Sequence, residues 1–480
     1  MQKILLLIAS LFYFNFILAE NEIKSWQGIH ETPLSRLEQQ FAEPPVEFAN
    51  HVIWGWEGKM DKKTICNDLD SIKKKGFRAV IFEAGYKLPF KYLSEEWFKA
   101  IRTGVVEAKK RDMKVWIIDE GKYPSGFAGG KFSQERPDLR MQALVIGDTI
   151  QIKRGEVMTN HKIAPEIISA VAVSTSGAPN RTIEINNGKI SFNAGLDDWK
   201  ILLVKSDFRT AVTRAVNNPN GGKDATNSLC DYLNPVAVQQ FIDWTHKQYK
   251  KYLGKELGTT VLGFRGDEPD YAHLPWTPSI VQTFKDTKGY DPTPYLASFF
   301  TASPTIQEQR VKADYWDVWS SLFATHFFKL QADWCAANGV AHITHLNKEH
   351  EMPACVKAEG DYFRALSKVQ IPGVDAIWNQ IWPSTLNDFP KLASSVAHVY
   401  GKPRAFSESF AAYHISPTIP QAKFVVDHQI ARGINFFEFM FWLAGSKHRN
   451  WMSDPGMKGL NEYTNRTTYL MSQGKPGARI

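Results

Sequence analysis

Eight times between His51 and Phe439, a short apolar run rich in β-branched and aromatic residues ends in polar, aromatic or acidic side chains and gives way to an amphipathic stretch. The runs are His51–Gly55, Phe77–Glu83, Met113–Asp119, Thr260–Gly266, Ala341–Leu346, Val374–Trp378, Arg404–Ser407 and Ile434–Phe439. Helical spacing predicts helices over Lys62–Lys75, Glu95–Arg111, Pro235–Leu253, Gln307–Asn338, Asn387–Tyr400 and Ile419–Arg432, with a last one in Pro455–Gln473. Asp61 and Ser94 read as N-caps, and Gly76, Gly254, Gly339, Gly401 and Gly433 as helix stops. Strands that alternate with helices pair in parallel through right-handed crossovers, and eight such units are the count of a (β/α)8 barrel, the TIM barrel. A doubly wound sheet is the competing fold, but no glycine-rich dinucleotide loop follows the first run.

Residues 141–210 break the rhythm. Ala143–Ile152, Ala170–Ser174, Thr182–Asn186 and Lys200–Val204 alternate at period two around Asn-Asn-Gly and Ser-Gly turns, which predicts a small antiparallel β insertion after strand three. The organisation expected is therefore a leader over 1–19, barrel residues 20–140, the insertion over 141–210 and the rest of the barrel over 211–480. The leader reading rests on Lys3, the apolar run Ile4–Ala19 and a small residue at Ala19. It implies an exported chain, periplasmic or secreted, with no membrane span in the mature part. Four cysteines, Cys66, Cys230, Cys335 and Cys355, lack the spacing of a zinc site and are expected free. A formal net charge of +7 is spread along the chain without a basic block, so no nucleic-acid partner is expected.

In such a barrel the chemistry sits at the carboxyl ends of the strands. Those ends carry Trp54, Trp56 and Glu57; Glu83; Asp119 and Glu120; Asp267 and Glu268; His345, Asn347 and Glu349; Asp375, Trp378 and Asn379; Glu408; Glu438 and Trp442. Carboxylates and amides bind hydroxyls, flat aromatic faces stack on sugar rings, and two carboxyl groups supply the acid and base for glycosidic cleavage. Glu268, followed at once by Pro269, is the first candidate for a catalytic carboxyl, and Asp267 is read as its structural partner. Glu408 on strand seven is the second candidate, with Glu349 competing for that role. Trp54, Trp56, Asp119, Glu120, His345, Glu349, Asp375 and Trp378 are candidate substrate contacts. Asp119 and Glu120 could alternatively hold a hard cation such as Ca²⁺, although the chain contains no EF-type loop. The glycine-rich stretch Tyr123–Gly130 lacks the ending of a phosphate loop, and neither a G-x-S-x-G elbow nor an HExxH motif is present.

At these positions the sequence resembles the exported α-L-rhamnosidases of glycoside hydrolase family 106. The matching pieces include Trp54-Gly-Trp56, Asp68-Leu-Asp70, Asp119 through Gly130, Asp231-Tyr-Leu-Asn-Pro235, Asp267-Glu-Pro269, Pro275-Trp-Thr-Pro278, Lys288-Gly-Tyr-Asp291, His345 with Glu349, and Ile371-Pro-Gly-Val-Asp375. The resemblance implies removal of a terminal deoxy-sugar from an oligo- or polysaccharide by two glutamates with inversion, and in some members calcium near the sugar. It assigns Glu268 to one glutamate and, by its strand-seven position, Glu408 to the other. Members of that family extend past the barrel into β-sandwich modules, whereas this sequence ends at Ile480. Two other functions are weighed against it: a carbohydrate-binding barrel without turnover, and a polysaccharide lyase, which wants more basic residues than these strand ends supply.

Overall fold

The computed structural model describes residues 24–210, 228–269, 271, 274–445 and 451–477, and within 211–227 only the strand pair 213–214 and 223–224. The leader lies outside the described residues. Eight parallel strands close into a barrel: β1 His51–Trp56, β2 Ala79–Ala84, β3 Lys114–Ile118, β4 Val261–Gly266, β5 Ala341–Thr344, β6 Ile371–Ala376, β7 Phe406–Ser409 and β8 Phe436–Leu443. Each pairs with its neighbours in sequence, and β1 closes the ring against β8. The helix signals act as read: the Asp61 side chain accepts from Thr64 N and that of Ser94 from Trp97 N. Gly76 and Gly433 turn the chain back toward the barrel at φ +88° and +90°, a conformation in which a side chain would be strained.

Two predicted helices are more elaborate than their spacing. Pro235–Leu253 is broken into Pro235–Trp244 and His246–Leu253 at Thr245, whose φ of −112° and ψ of −87° leave helical geometry while its hydroxyl donates to Phe241 O at 2.7 Å. Gln307–Asn338 runs as Ile306–Leu322 and Lys329–Ala337, joined by a π-helical stretch at Phe323–Phe328. There Phe323 and Phe327 pack against Tyr232.

The region after β3 forms a five-stranded antiparallel sheet in the order Pro275–Trp276, Gln142–Ile152, Trp199–Phe208, Ile167–Ser174 and Arg181–Ile183. A separate hairpin pairs Val157–Lys162 with Lys189–Asn193. Trp199, Ile201, Ile190 and Ala172 give this region its own core. Its edge strand Pro275–Trp276 comes from the segment after β4, so the sheet is tied to the loop that bears Glu268. Among the described residues no helix is long and apolar enough to cross a membrane, and all four cysteines are free.

Ile53, Ile81, Trp116, Leu262, Ile343, Ile371, Phe406 and Phe436 fill the barrel interior. Alternation along β1 turns the neighbouring positions outward, which corrects one expectation. Trp54 and Trp56 are fully buried against Phe82 and Trp97 beneath the outer helices, and the Trp54 indole donates to Asp68. They are packing residues and offer no face to a sugar.

Close approach inside the wall demands glycine at two points. A Cβ on Gly263 would lie 2.1 Å from Ala341 O, and one on Gly373 would lie 2.1 Å from the Phe406 ring. Gly263→Ala and Gly373→Ala are each expected to lower unfolding free energy by about 1–3 kcal/mol in denaturant titrations. Gly459→Ala, in the open face of the last helix, should leave it unchanged or raise it by up to about 1 kcal/mol.

Candidate active site

Three acids stand side by side near the ends of β6 and β7 and early in the longer β8: Asp375 is in register with Glu408, and Glu408 with Glu438. Adjacent strands lie about 4.8 Å apart, so these buried side chains crowd one another. Arg265, wholly buried on β4, reaches across to the second and third of them. Its Nη1 lies 2.7 Å from Asp267 Oδ1, its Nη2 pairs with Glu408 Oε2, and its Nε lies 3.2 Å from Glu438 Oε2.

His345 lies beside this cation. Its Nδ1 is 2.9 Å from Leu346 O and 3.5 Å from Glu349 Oε1, while Nε2 is 3.5 Å from Asp267 Oδ1 and 3.4 Å from Glu408 Oε2. Arg265 Nη2 also approaches Nε2 at 2.8 Å, a contact that favours a bare nitrogen. Burial and Arg265 oppose the imidazolium, yet Asp267, Glu349 and Glu408 outweigh them and hold its pKa well above the usual value. Burial likewise works against a charged Asp267, but Arg265 and His345 keep its pKa far below the carboxylate range. Asp267 is thus held between Arg265 and His345.

Glu268 opens to the barrel mouth at φ +39°, a left-handed conformation that costs a non-glycine residue of order 1–3 kcal/mol. Burial, then the charges of Asp267, Glu408 and Glu349, push its pKa up to about 8 despite His345. Its carboxyl therefore holds a proton at neutral pH. Asp375 is driven the same way, by burial and then Glu408. Its Oδ1 is buried with no hydrogen-bond partner, and its carboxylate, that of Glu268 and a His345 nitrogen lie within 4.8 Å of one another. Burial lifts Glu438 to about 7 against the pull of Arg265.

Other candidates fall elsewhere. Glu349 is buried behind His345, where its carboxylate accepts from Leu346 N at 3.0 Å, and so it braces the strand-five turn. Asp119 and Glu120 are also corrected from ligand contacts to loop anchors. Glu120 accepts from the backbone N–H groups of Gly121, Ala128 and Gly129, and Asp119 accepts from Ser125 Oγ at 2.6 Å. Burial raises their pKa values to about 8 and about 7. They pin the glycine-rich loop, whose Ser125 also exchanges hydrogen bonds with Asp267. Trp378 is 52% exposed at the rim after β6, an open aromatic face of the kind that stacks on a sugar.

Two further charged residues, Lys122 and Arg265, belong to this end of the barrel. Lys122 lies 2.8 Å from Glu83 at the end of β2, with nothing in its local sequence to mark it. Arg265 did leave a trace, as a lone charge inside the apolar run Val261–Gly266. Among the described residues, three groups bring metal-type donors within 4.8 Å: Asp267, His345 and Glu408; Glu268, His345 and Asp375; and, away from this acid cluster, His246, Cys335 and His342. Burial keeps both imidazoles of the last group neutral.

Residues 156–480 match the glycoside hydrolase family 106 α-L-rhamnosidase family. A putative β-glucuronidase of Formosa agariphila is 23% identical over 93% of this chain. The rhamnosidase of Novosphingobium sp. PP1Y superposes over 92% of the chain with a TM-score of 0.69 at 15% identity, a likeness of fold. The chain spans 42% of the first relative's length and 61% of the second's.

The Glu268 carboxyl makes a stability prediction. Its folded pKa of about 8 exceeds the 4.5 of an unperturbed glutamate, so between those values the folded chain holds a proton that the unfolded chain has released. Its contribution to stability therefore falls as pH rises through that window. Glu268→Gln should melt close to the wild-type temperature at pH 5 and above it at pH 9, read by calorimetry across that range.

Proposed function

The chain belongs to glycoside hydrolase family 106, the α-L-rhamnosidase family, and on that premise we propose that it is an exported glycosidase removing α-L-rhamnose or a related residue from a polysaccharide, with inversion. The observation that carries this reading is the pairing of a protonated Glu268 at the barrel mouth with a Glu408 carboxylate clasped by Arg265. Glu268 donates its proton to the glycosidic oxygen as that bond breaks. Glu408 takes a proton from the water that attacks the anomeric carbon from the opposite face. The unpartnered Oδ1 of Asp375 accepts from a sugar hydroxyl, and Trp378 stacks at the rim. Export to the periplasm or medium rests on the Ile4–Ala19 segment.

A rhamnose-containing polysaccharide panel tests the reading. Glu268→Gln and Glu408→Gln should each lower kcat by about 10³-fold, and Asp375→Asn should cost about 10²-fold, mainly in kcat/KM. Wild-type kcat should fall above about pH 8 as Glu268 loses its proton, and proton NMR of the first-released sugar should show the inverted anomer. A folded wild type that binds oligosaccharide in calorimetry and releases nothing from the panel would make this a binding barrel.

A further inference from the structure

Calcium is the cation that the family resemblance brings with it, and the residues here do not fit one. Ca²⁺ takes 6–8 oxygens at about 2.3–2.6 Å. At the point where the acids crowd together, the guanidinium of Arg265 fills the space. Oxygens of Asp267, Glu408 and Glu438 are turned onto its three nitrogens, and His345 Nε2 closes another side at 2.8 Å. Asp119 and Glu120 are committed to Ser125 and to backbone N–H groups. Glu268 and Asp375 remain, and among the described histidine, cysteine and acidic residues the donor that joins them is a His345 nitrogen, a poor ligand for a cation that takes oxygens.

We propose that Arg265 is the resident cation of this site, its guanidinium occupying the charge position among Asp267, Glu408 and Glu438 that a divalent ion would take, so that the chain binds and cleaves its sugar without one. The turnover clause rests on the glycosidase reading; the cation assignment does not. A guanidinium suits the position because its planar fork presents five donors, enough for all three carboxylates, and its charge persists at every working pH. It brings one positive charge where a divalent ion brings two. The shortfall agrees with the surplus acids Asp375 and Glu438 being pushed toward their protonated forms. Arg265 is fully buried and acts through the carboxylates it holds, which makes it a positioning residue.

The experiment compares melting of the wild type, Arg265→Gln and Arg265→Lys after chelator treatment, then with millimolar Ca²⁺ against matched NaCl. Wild type and Arg265→Lys should melt at the same temperature in both salts, and chelator should leave wild-type sugar release unchanged. Arg265→Gln, with its acids unopposed, should melt lower and recover by several degrees in Ca²⁺ alone, since a ligand bound only by the folded state stabilises it. It should also shift the pH profile of any residual activity, which simple loss of packing would not do. Ca²⁺ that raises the wild-type melting temperature, chelator that abolishes wild-type activity, or an Arg265→Gln chain indifferent to Ca²⁺ would each overturn the proposal. If Arg265→Gln does not fold, the wild-type and Arg265→Lys measurements still decide. A wild type indifferent to Ca²⁺ that releases no sugar would count against the glycosidase reading alone.

Discussion

One buried ion cluster governs this molecule: a guanidinium on β4 paired with Glu408 on β7, Glu438 on β8 and Asp267 just past the end of its own strand. A closed parallel barrel leaves little choice in the matter. Once Asp375, Glu408 and Glu438 occupy matching register positions on β6, β7 and β8, their carboxyls must share one desolvated space, and burial without a countercharge is costly for each. Arg265 supplies that charge from across the barrel, with Asp267 attached to the same guanidinium. The cluster thereby sorts the acids. Asp267 stays ionised, whereas Glu268 and Asp375, which have no contact with Arg265, are raised. Glu438, although in contact with Arg265, is still lifted to about 7 by its complete burial.

The loops around the mouth extend the same arrangement. Ser125, in the glycine-rich loop after β3, exchanges hydrogen bonds with Asp267, and that loop is itself held by the buried Glu120 carboxylate. On the far side of Glu268, Pro275–Trp276 is stitched into the antiparallel sheet. The turn that bears Glu268 is thus anchored at both ends by structure added after β3. Left-handed non-glycine residues gather at this rim, at Glu268, Lys348, Trp378, Asn379, Phe410 and Ala412. Strained backbone persists only where its surroundings over-determine it, and these turns are tied to one another: Trp378 N, for example, donates to Ala411 O.

Much of the barrel was legible because local and global preferences agree. Each apolar run became a strand, and Asp61, Ser94, Gly76 and Gly433 bound helices as their chemistry dictates. The site was legible in part. Glu268, Glu408, Asp375 and His345 were found by one rule, that strand ends face the mouth, and the structure brings these four together. The same rule failed for Trp54 and Trp56 because strand alternation, rather than closeness to the end, decides whether a side chain faces inward. It failed for Asp119 and Glu120 because a carboxylate that anchors backbone N–H groups looks the same in sequence as one that binds a ligand.

What the sequence by itself determined was the order of strands and helices, the interruption after the third strand and the short set of acids from which the site is drawn. Those are properties of periodicity and residue type, which act over a few neighbouring positions. Only the tertiary structure decided which acids are charged. That depends on distances between side chains as far apart in sequence as Arg265 and Glu438, and on a desolvation that exists only after the barrel closes around them.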